Sequence, residues 1–115
     1  MFRKKANASE VAKAKEIIGK IGVELRRIRK MRDESLEDVA TYLEIKSIYL
    51  YGIEQGDLSV IPSQRSRRSY TSSYANYLGL DGDVIVNRVL PLIQSLDNVK
   101  PHPAFEALPQ SIETP

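Results

Sequence analysis

Lysine and arginine are the side chains of this chain best suited to bind a ligand, and they concentrate in two short stretches. Residues 26–32 carry five Lys or Arg, and residues 65–68 carry three Arg. Cations at this density neutralise phosphates and release their counterions, so they predict a polyanionic partner if the fold brings the two stretches together. The alternative is that they are solvated helix faces balanced by nearby carboxylates.

Residues for catalysis or metal binding are scarce in the sequence. It has no Cys and a single His, His102, which lies between two prolines. A disulfide framework and a thiolate metal site are therefore excluded, and a histidine-based metal or catalytic site is not expected. There is also no paired nucleophile and base and no glycine-rich phosphate loop. We therefore expect a binding protein without a cofactor rather than an enzyme.

The charge of the 115 residues is unevenly distributed along what is one domain's length of chain. The net charge of +2 is made up of +6 over residues 1–35, −4 over 36–62, +3 over 63–80 and −3 over 81–115. No apolar run approaches the ~18 residues that span a membrane, and the basic start lacks the apolar core of a signal peptide. These features predict a cytoplasmic protein with no membrane segment.

Apolar residues recur at helical spacing along most of the chain and predict five helices. We expect the first helix over about residues 18–32, since Gly19 and Gly22 interrupt the pattern there. A weaker or kinked helical extension, capped by Ser9, should precede it. Residues 1–8 are expected to form a mobile basic arm.

Polar caps and glycine stops predict the other four helices. Their expected spans are Ser35 to Leu43, Ser47 to Gly56, Ser63 to Gly79 and Asp81 to Leu96. Pro91 should kink or restart the last helix, and LSVIP (58–62) should be an extended connector. The predicted organisation is a basic arm or helical extension over 1–17, one domain over 18–96 and a flexible proline-rich tail over 97–115.

The stretch SLEDVATYLEIKSIYLYGIEQGD, residues 35–57, carries the functional signal. Two short helices are joined by the three-residue turn EIK, with apolar residues at fixed places, which is the pattern of a helix-turn-helix. The stretch resembles the phage-repressor (Xre/Cro) family, with one departure at Glu44, where that family usually has glycine. The resemblance implies an all-α, five-helix, lambda-repressor-like domain in a bacterial or phage protein.

A closer resemblance, to the RodZ-type helix-turn-helix, covers roughly residues 19–96. The matching pieces are SLEDVA, IYLYGIEQGDLSVIP and YANYLGLD. That family divides into membrane-anchored cell-shape proteins, which bind the actin-like MreB filament, and DNA-binding regulators. Here Ser66 replaces one aromatic residue of the filament surface, while Arg65 and Arg67 add charge. With the missing transmembrane segment, these differences favour the regulator, and the filament adaptor is the alternative.

For a regulator, the resemblance implies that the start of the third helix enters the major groove. Base-reading positions then fall on Ser47, Ile48 and Gly52, with Lys46, Tyr49 and Tyr51 beside them. Phosphate contacts are expected from Arg29, Arg32, Ser35, Gln55, Arg65, Arg67 and Arg68. Ile48 can touch a thymine methyl, but no central position is Arg, Asn or Gln, so we expect modest base specificity helped by DNA shape. The alternative is a scaffold whose third helix forms a protein interface.

Regulators of this fold bind DNA as symmetric dimers, so the resemblance also predicts a homodimer on double-stranded DNA. The apolar residues available for its interface are Val89, Leu92, Ile93 and Leu96 in the fifth helix and the stripe from Val11 to Ile21 near the N-terminus. The alternative for both seams is packing within one chain. Phe105 and Leu108 in the tail could dock a protein partner.

Overall fold

The computed structural model describes residues 7–96, and within this range the chain contains helices and no strand. The five helices are α1 (Ala8–Met31), α2 (Leu36–Leu43), α3 (Ser47–Glu54), α4 (Gln64–Tyr77) and α5 (Gly82–Ser95), with a 3-10 turn at Leu58–Val60. The predicted all-α, five-helix class is confirmed, with α2 and α3 as the helix-turn-helix. None of these helices is both long enough and apolar enough to cross a membrane. Residues 1–6 of the predicted arm, and the tail with Phe105 and Leu108, lie outside the described residues.

Helix α1 runs without interruption from Ala8, so the helix boundary predicted near residue 18 is wrong. Asn7, and not Ser9, caps it. The Asn7 side chain accepts a hydrogen bond from the Glu10 N–H at 2.8 Å, and the Asn7 N–H donates to Glu10 Oε1 at 3.1 Å. This reciprocal capping box stabilises the first turn and helps to offset the low helix propensity of the two glycines further on.

Gly22 lies where α1 and α3 cross. A Cβ at this position would be 2.4 Å from the Glu54 carbonyl oxygen and 2.6 Å from that of Ile53. The end of α3 therefore rests directly on the α1 backbone, and only a residue without a side chain permits this approach. Gly19 differs, because nothing lies within 4 Å of the place where its Cβ would be.

The turn between α2 and α3 depends on a residue in the left-handed conformation. Helix α2 ends at Leu43, and its C-cap residue Glu44 has a φ of 59° and a ψ of 40°, which place it in that region. Glycine adopts this conformation at the lowest cost, which explains why the resembling family usually has glycine here. The next residue, Ile45, donates its N–H to the Ala40 carbonyl oxygen at 3.0 Å and turns its side chain into the core.

The connector after α3 is a 3-10 turn, so the predicted extended segment is wrong. Gly56, with a φ of 73°, follows the end of α3. Asp57 then caps the turn by accepting a hydrogen bond from the Ser59 N–H at 3.1 Å. Leu58 and Ile61 are buried. A run this short has no period that distinguishes a tight turn from an extended segment.

The ends of α4 and α5 follow the predicted capping residues. Ser63 and Asp81 each accept a hydrogen bond from a backbone N–H three residues later, at 3.0 and 3.2 Å. Gly79, with a φ of 93°, lies just beyond the end of α4. Pro91 lies inside α5, which continues through it to Ser95, so the helix does not restart there.

Helix α5 packs against both α1 and α4 and closes the core. Val89, Leu92 and Ile93 are buried within the chain, and so are Ala14 and Ile18 of the N-terminal stripe. The main residues of both predicted dimer seams are therefore used for packing inside one chain. The homodimer itself stays a prediction that requires a different surface.

Gly22→Ala should destabilise the fold, whereas Gly19→Ala should not. The methyl added at position 22 would overlap the α3 carbonyl groups, and overpacking of this kind costs about 1–3 kcal/mol. At position 19 the methyl meets open space and raises helix propensity, so a gain of up to about 1 kcal/mol is expected. Urea unfolding followed by circular dichroism measures both variants, and equal stabilities would contradict the close contact between α1 and α3.

Candidate nucleic-acid interface

Helix α3 is held by one face and exposed on the other. Leu50 and Ile53 are fully buried. Ile48, Tyr51 and Gln55 are three and four residues apart and so share the opposite side of the helix. All three are exposed, Ile48 by 44% and Tyr51 by 50%. The outer face of α3 is thus a row of one aliphatic, one aromatic and one amide side chain.

Two polar residues lie at the start of α3, beside this outer face, and line the space between α2 and α3. Lys46 is the N-cap residue, and it is exposed and makes no side-chain capping hydrogen bond. Ser47 opens the helix and is partly exposed. Of the predicted base-facing residues, Lys46, Ser47, Ile48 and Tyr51 are therefore accessible together, although their contact with DNA stays a prediction.

Gly52 and Tyr49 are also predicted at the base-facing side, but the structure places Gly52 inside the fold and leaves Tyr49 only partly exposed. Gly52 is buried, because a Cβ there would lie 2.4 Å from Val60 Cγ2 and 2.8 Å from the Asp57 carbonyl oxygen. The Tyr49 ring is partly buried and stacks on Tyr70 of α4, with ring centroids 5.6 Å apart and planes inclined by 19°. These two residues position α3 against the 3-10 turn and against α4.

Arg29, predicted to contact phosphate, lies inside the protein and is only 9% exposed. Its Nε donates to Glu54 Oε2 at 2.7 Å and its Nη2 to Glu54 Oε1 at 3.1 Å, which makes a bidentate pair between α1 and α3. Its Nη1 donates to the Glu34 carbonyl oxygen at 2.9 Å. The hydrogen bond to Glu54 raises the pKa of Arg29. Three of its five N–H groups thus donate to protein acceptors, so the structure gives Arg29 a role inside the fold, and its contact with phosphate stays a prediction.

Tyr74 joins the same network from α4. Its hydroxyl donates to Glu54 Oε2, and the side chain is fully buried. Burial, together with this hydrogen bond, raises the pKa of Tyr74 well above its ordinary value, so the phenol remains a donor. Sequence reasoning missed this network, although Glu54 follows Leu50 by four residues and therefore shares its inward face.

Arg67 is also buried. The basic block formed by the three arginines of residues 65–68, at the start of α4, is therefore divided between the interior and the surface. The Arg67 side chain is 5% exposed. Its Nε donates to the Leu58 carbonyl oxygen at 3.3 Å and its Nη1 to that of Ile93 at 3.4 Å. Arg67 therefore joins α4 to the 3-10 turn and to α5. The structure therefore gives Arg67 a role inside the fold, which disfavours the predicted phosphate contact, and that contact stays a prediction.

Arg65 and Arg68 are the exposed arginines of that block. Three residues apart, they lie about 60° from each other around α4 and share one side. Tyr70, whose ring faces α3, lies about 160° from Arg68 around the same helix. The arginine pair and the outer face of α3 are therefore two separate patches rather than one continuous surface.

Arg32 and Ser35 lie where α1 passes into α2. The Arg32 Nη1 donates to the Tyr77 carbonyl oxygen at 3.0 Å, and its guanidinium lies 4.9 Å from the centroid of the Tyr77 ring. It also lies 3.5 Å from Glu34 Oε2. The Ser35 hydroxyl accepts a hydrogen bond from the Asp38 N–H at 3.0 Å. Both residues are exposed, and their contact with phosphate stays a prediction.

The groove between α2 and α3 is lined by more acidic than basic side chains. Its volume is about 410 Å³, and its lining includes the apolar side chains of Ala40 and Ile45. Glu37 and Glu44 also line it, against the single cation Lys46. With two carboxylates and one lysine, this lining suits a cationic or apolar group better than a phosphate.

Comparison with known protein families matches residues 24–85, more than half of the chain, to a helix-turn-helix domain. The chain belongs to the helix-turn-helix domain family. The match includes all of α2, α3 and α4, and the family lies in the Xre/RodZ-type group, while the narrower RodZ-type assignment stays a prediction. Neither the curated proteins nor the solved structures compared with the chain gave a match.

Arg29→Met should destabilise this helix-turn-helix domain by about 3–5 kcal/mol, because it leaves the Glu54 carboxylate buried without its cation. Adding Glu54→Leu and Tyr74→Phe removes the charge and the hydroxyl together, so the triple variant should recover much of the loss. Urea unfolding gives the free energies of unfolding of the unsubstituted chain, Arg29→Met and the triple variant. Arg26→Met, at an exposed position of α1, is the control. If Arg29→Met were as stable as the control, the ion pair would not be what joins α3 to α1.

Arg67→Met and Arg68→Met should differ although the residues are neighbours. Removing the Arg67 donors leaves two buried carbonyl groups without that partner, which costs about 1–3 kcal/mol. Arg68 is exposed, and its replacement should change the stability by no more than about 0.5 kcal/mol. Thermal unfolding of the two variants compares them directly, and similar losses would show that Arg67 is not buried in solution.

Proposed function

We propose that this helix-turn-helix domain binds double-stranded DNA as a transcriptional regulator, with the start of α3 in the major groove. The observation that supports the proposal best is the outer face of α3, where Ile48, Tyr51 and Gln55 remain exposed in the described part of the chain. A recognition helix must be rigidly held on one side and accessible on the other, and α3 satisfies both conditions. In this proposal the domain acts by binding alone and catalyses no reaction.

The proposed contacts divide into base-reading and phosphate-positioning residues. Base edges would be met by Ser47, Ile48 and Tyr51, with Lys46 beside them. Phosphates would be met by Arg32, Ser35 and Gln55, and by the separate pair Arg65 and Arg68. Because two predicted cations are buried, we propose fewer phosphate contacts, and a weaker dependence on salt, than the basic composition alone suggests.

A homodimer is proposed as the binding unit, since two recognition helices must reach successive grooves about 34 Å apart. The fifth-helix seam is buried, so the interface has to use other exposed residues. Outside α3, the large exposed apolar side chains of residues 7–96 are Val23, Met31, Tyr42 and Val84. A regulator of this kind would act at the nucleoid in a bacterial cytoplasm.

A protein adaptor is the second candidate, and the acidic groove beside α3 is the observation that favours it. Ile48 and Tyr51 would anchor a partner while the groove carboxylates pair with its basic residues. The RodZ-type resemblance suggests an actin-like filament as that partner. Two features weigh against the filament: the ring of Tyr70 is partly buried and already stacks on Tyr49, and Ser66 offers no ring.

Fluorescence anisotropy with a random-sequence duplex pool, at two salt concentrations, tests the DNA proposal. Arg65→Gln with Arg68→Gln should weaken binding to all sequences alike and reduce the log–log salt slope by about 2. Ser47→Ala with Ile48→Ala should instead change which sequences a selection enriches. Undetectable or salt-insensitive binding to duplex DNA, together with sedimentation of the protein with an actin-like filament, would replace the regulator by the adaptor.

A further inference from the structure

The outer face of α3, which would meet the bases in the proposed complex, carries two exposed side chains that are largely apolar. Ile48 and Tyr51 stand one turn apart and are exposed. The polar residues nearby are Lys46 and Ser47 at the start of the helix and Gln55 just past its end. We infer that α3 recognises the C5-methyl group of thymine in the major groove, with Ile48 as the contacting residue. This inference rests on the DNA binding proposed above.

The chemistry of the major groove selects thymine for an aliphatic contact. The thymine methyl is the apolar group among edges that otherwise present hydrogen-bond donors and acceptors. Pressing Ile48 against a donor or an acceptor removes its water and leaves it unpaired, which weakens binding. Against a methyl, the same side chain buries apolar surface on both partners and strengthens binding. Ile48 would therefore both favour thymine and disfavour the other edges.

The position of Ile48 is also fixed in the protein without DNA. Its β-branched side chain has few accessible rotamers. The backbone on which it stands is fixed, because Leu50 and Ile53 are buried and Tyr49 stacks on Tyr70 at 5.6 Å. A contact made by such a side chain loses little conformational entropy on binding, so most of the apolar gain appears as discrimination between bases.

Uracil substitution isolates the methyl group, because uracil keeps every hydrogen-bonding group of thymine. Selection of a random-core duplex pool on the full chain first identifies a preferred site. That site is then synthesised with uracil in place of each thymine in turn. We expect at least one position where the substitution weakens binding about fourfold, the fold-change for one buried methyl, while the salt slope is unchanged.

Ile48→Ala assigns the contact, and Val84→Ala is its matched control. Val84 is 50% exposed on α5, so both substitutions remove an exposed aliphatic side chain and should leave the fold intact. Ile48→Ala should bind the thymine and uracil duplexes equally, whereas Val84→Ala should keep the fourfold difference.

The possible failures are distinguishable. Equal affinity for thymine and uracil at every position, or a difference that survives Ile48→Ala, overturns the methyl contact and leaves the proposed DNA binding intact. If no duplex in the pool binds at any salt concentration, both the regulator and the methyl contact are overturned.

Discussion

The buried pair between Arg29 and Glu54 is the interaction on which the arrangement of this domain depends. Both charges are out of water, so each is tolerated only while the other stays within hydrogen-bonding distance. The same carboxylate accepts the Tyr74 hydroxyl, and one group thereby fixes α1, α3 and α4 relative to one another. Beside it, Gly22 lets the carbonyl groups of α3 rest on α1. Helix α3 cannot slide along α1 without leaving a charge buried and unpaired.

Fixing the inner side of α3 also determines its outer side. The helix has only eight residues, so once Leu50 and Glu54 face inward, Ile48 and Tyr51 have to face outward. The same packing takes the Arg29 guanidinium away from the surface. The basic composition of the chain therefore overstates the positive charge of its surface, because some cations bind carbonyl and carboxylate oxygens of the fold itself.

The five helices, and the caps of α2, α4 and α5, were predictable because each depends on residues three or four positions apart, whereas the start of α1 and its cap were not. The same spacing contained a signal for the buried arginines: Arg29 follows Leu25 by four residues, and Arg67 precedes Tyr74 by seven, so each lies on a buried stripe. Their charge suggested a surface position that their spacing did not support. Spacing along a helix does not reveal which oxygen accepts from a buried arginine, however. The carboxylate that accepts from Arg29 belongs to Glu54, 25 residues away along the chain. The inner half of the candidate site therefore required the tertiary structure.

On such a domain, different residues would determine the affinity for DNA and the preference among base sequences. In the proposed complex, repulsion between the carboxylates of the α2–α3 groove and phosphates would act on every duplex alike, over a screening length of about 8 Å, so it would lower affinity without changing base preference. The proposed contact between Ile48 and a methyl group would depend on the base and would therefore set preference. A domain with few phosphate-binding cations gains affinity most effectively by binding two half-sites at once, because the second contact forms at a high effective concentration. The proposed homodimer would thus supply affinity, while the Arg29–Glu54 pair keeps α3 in the same orientation on both half-sites.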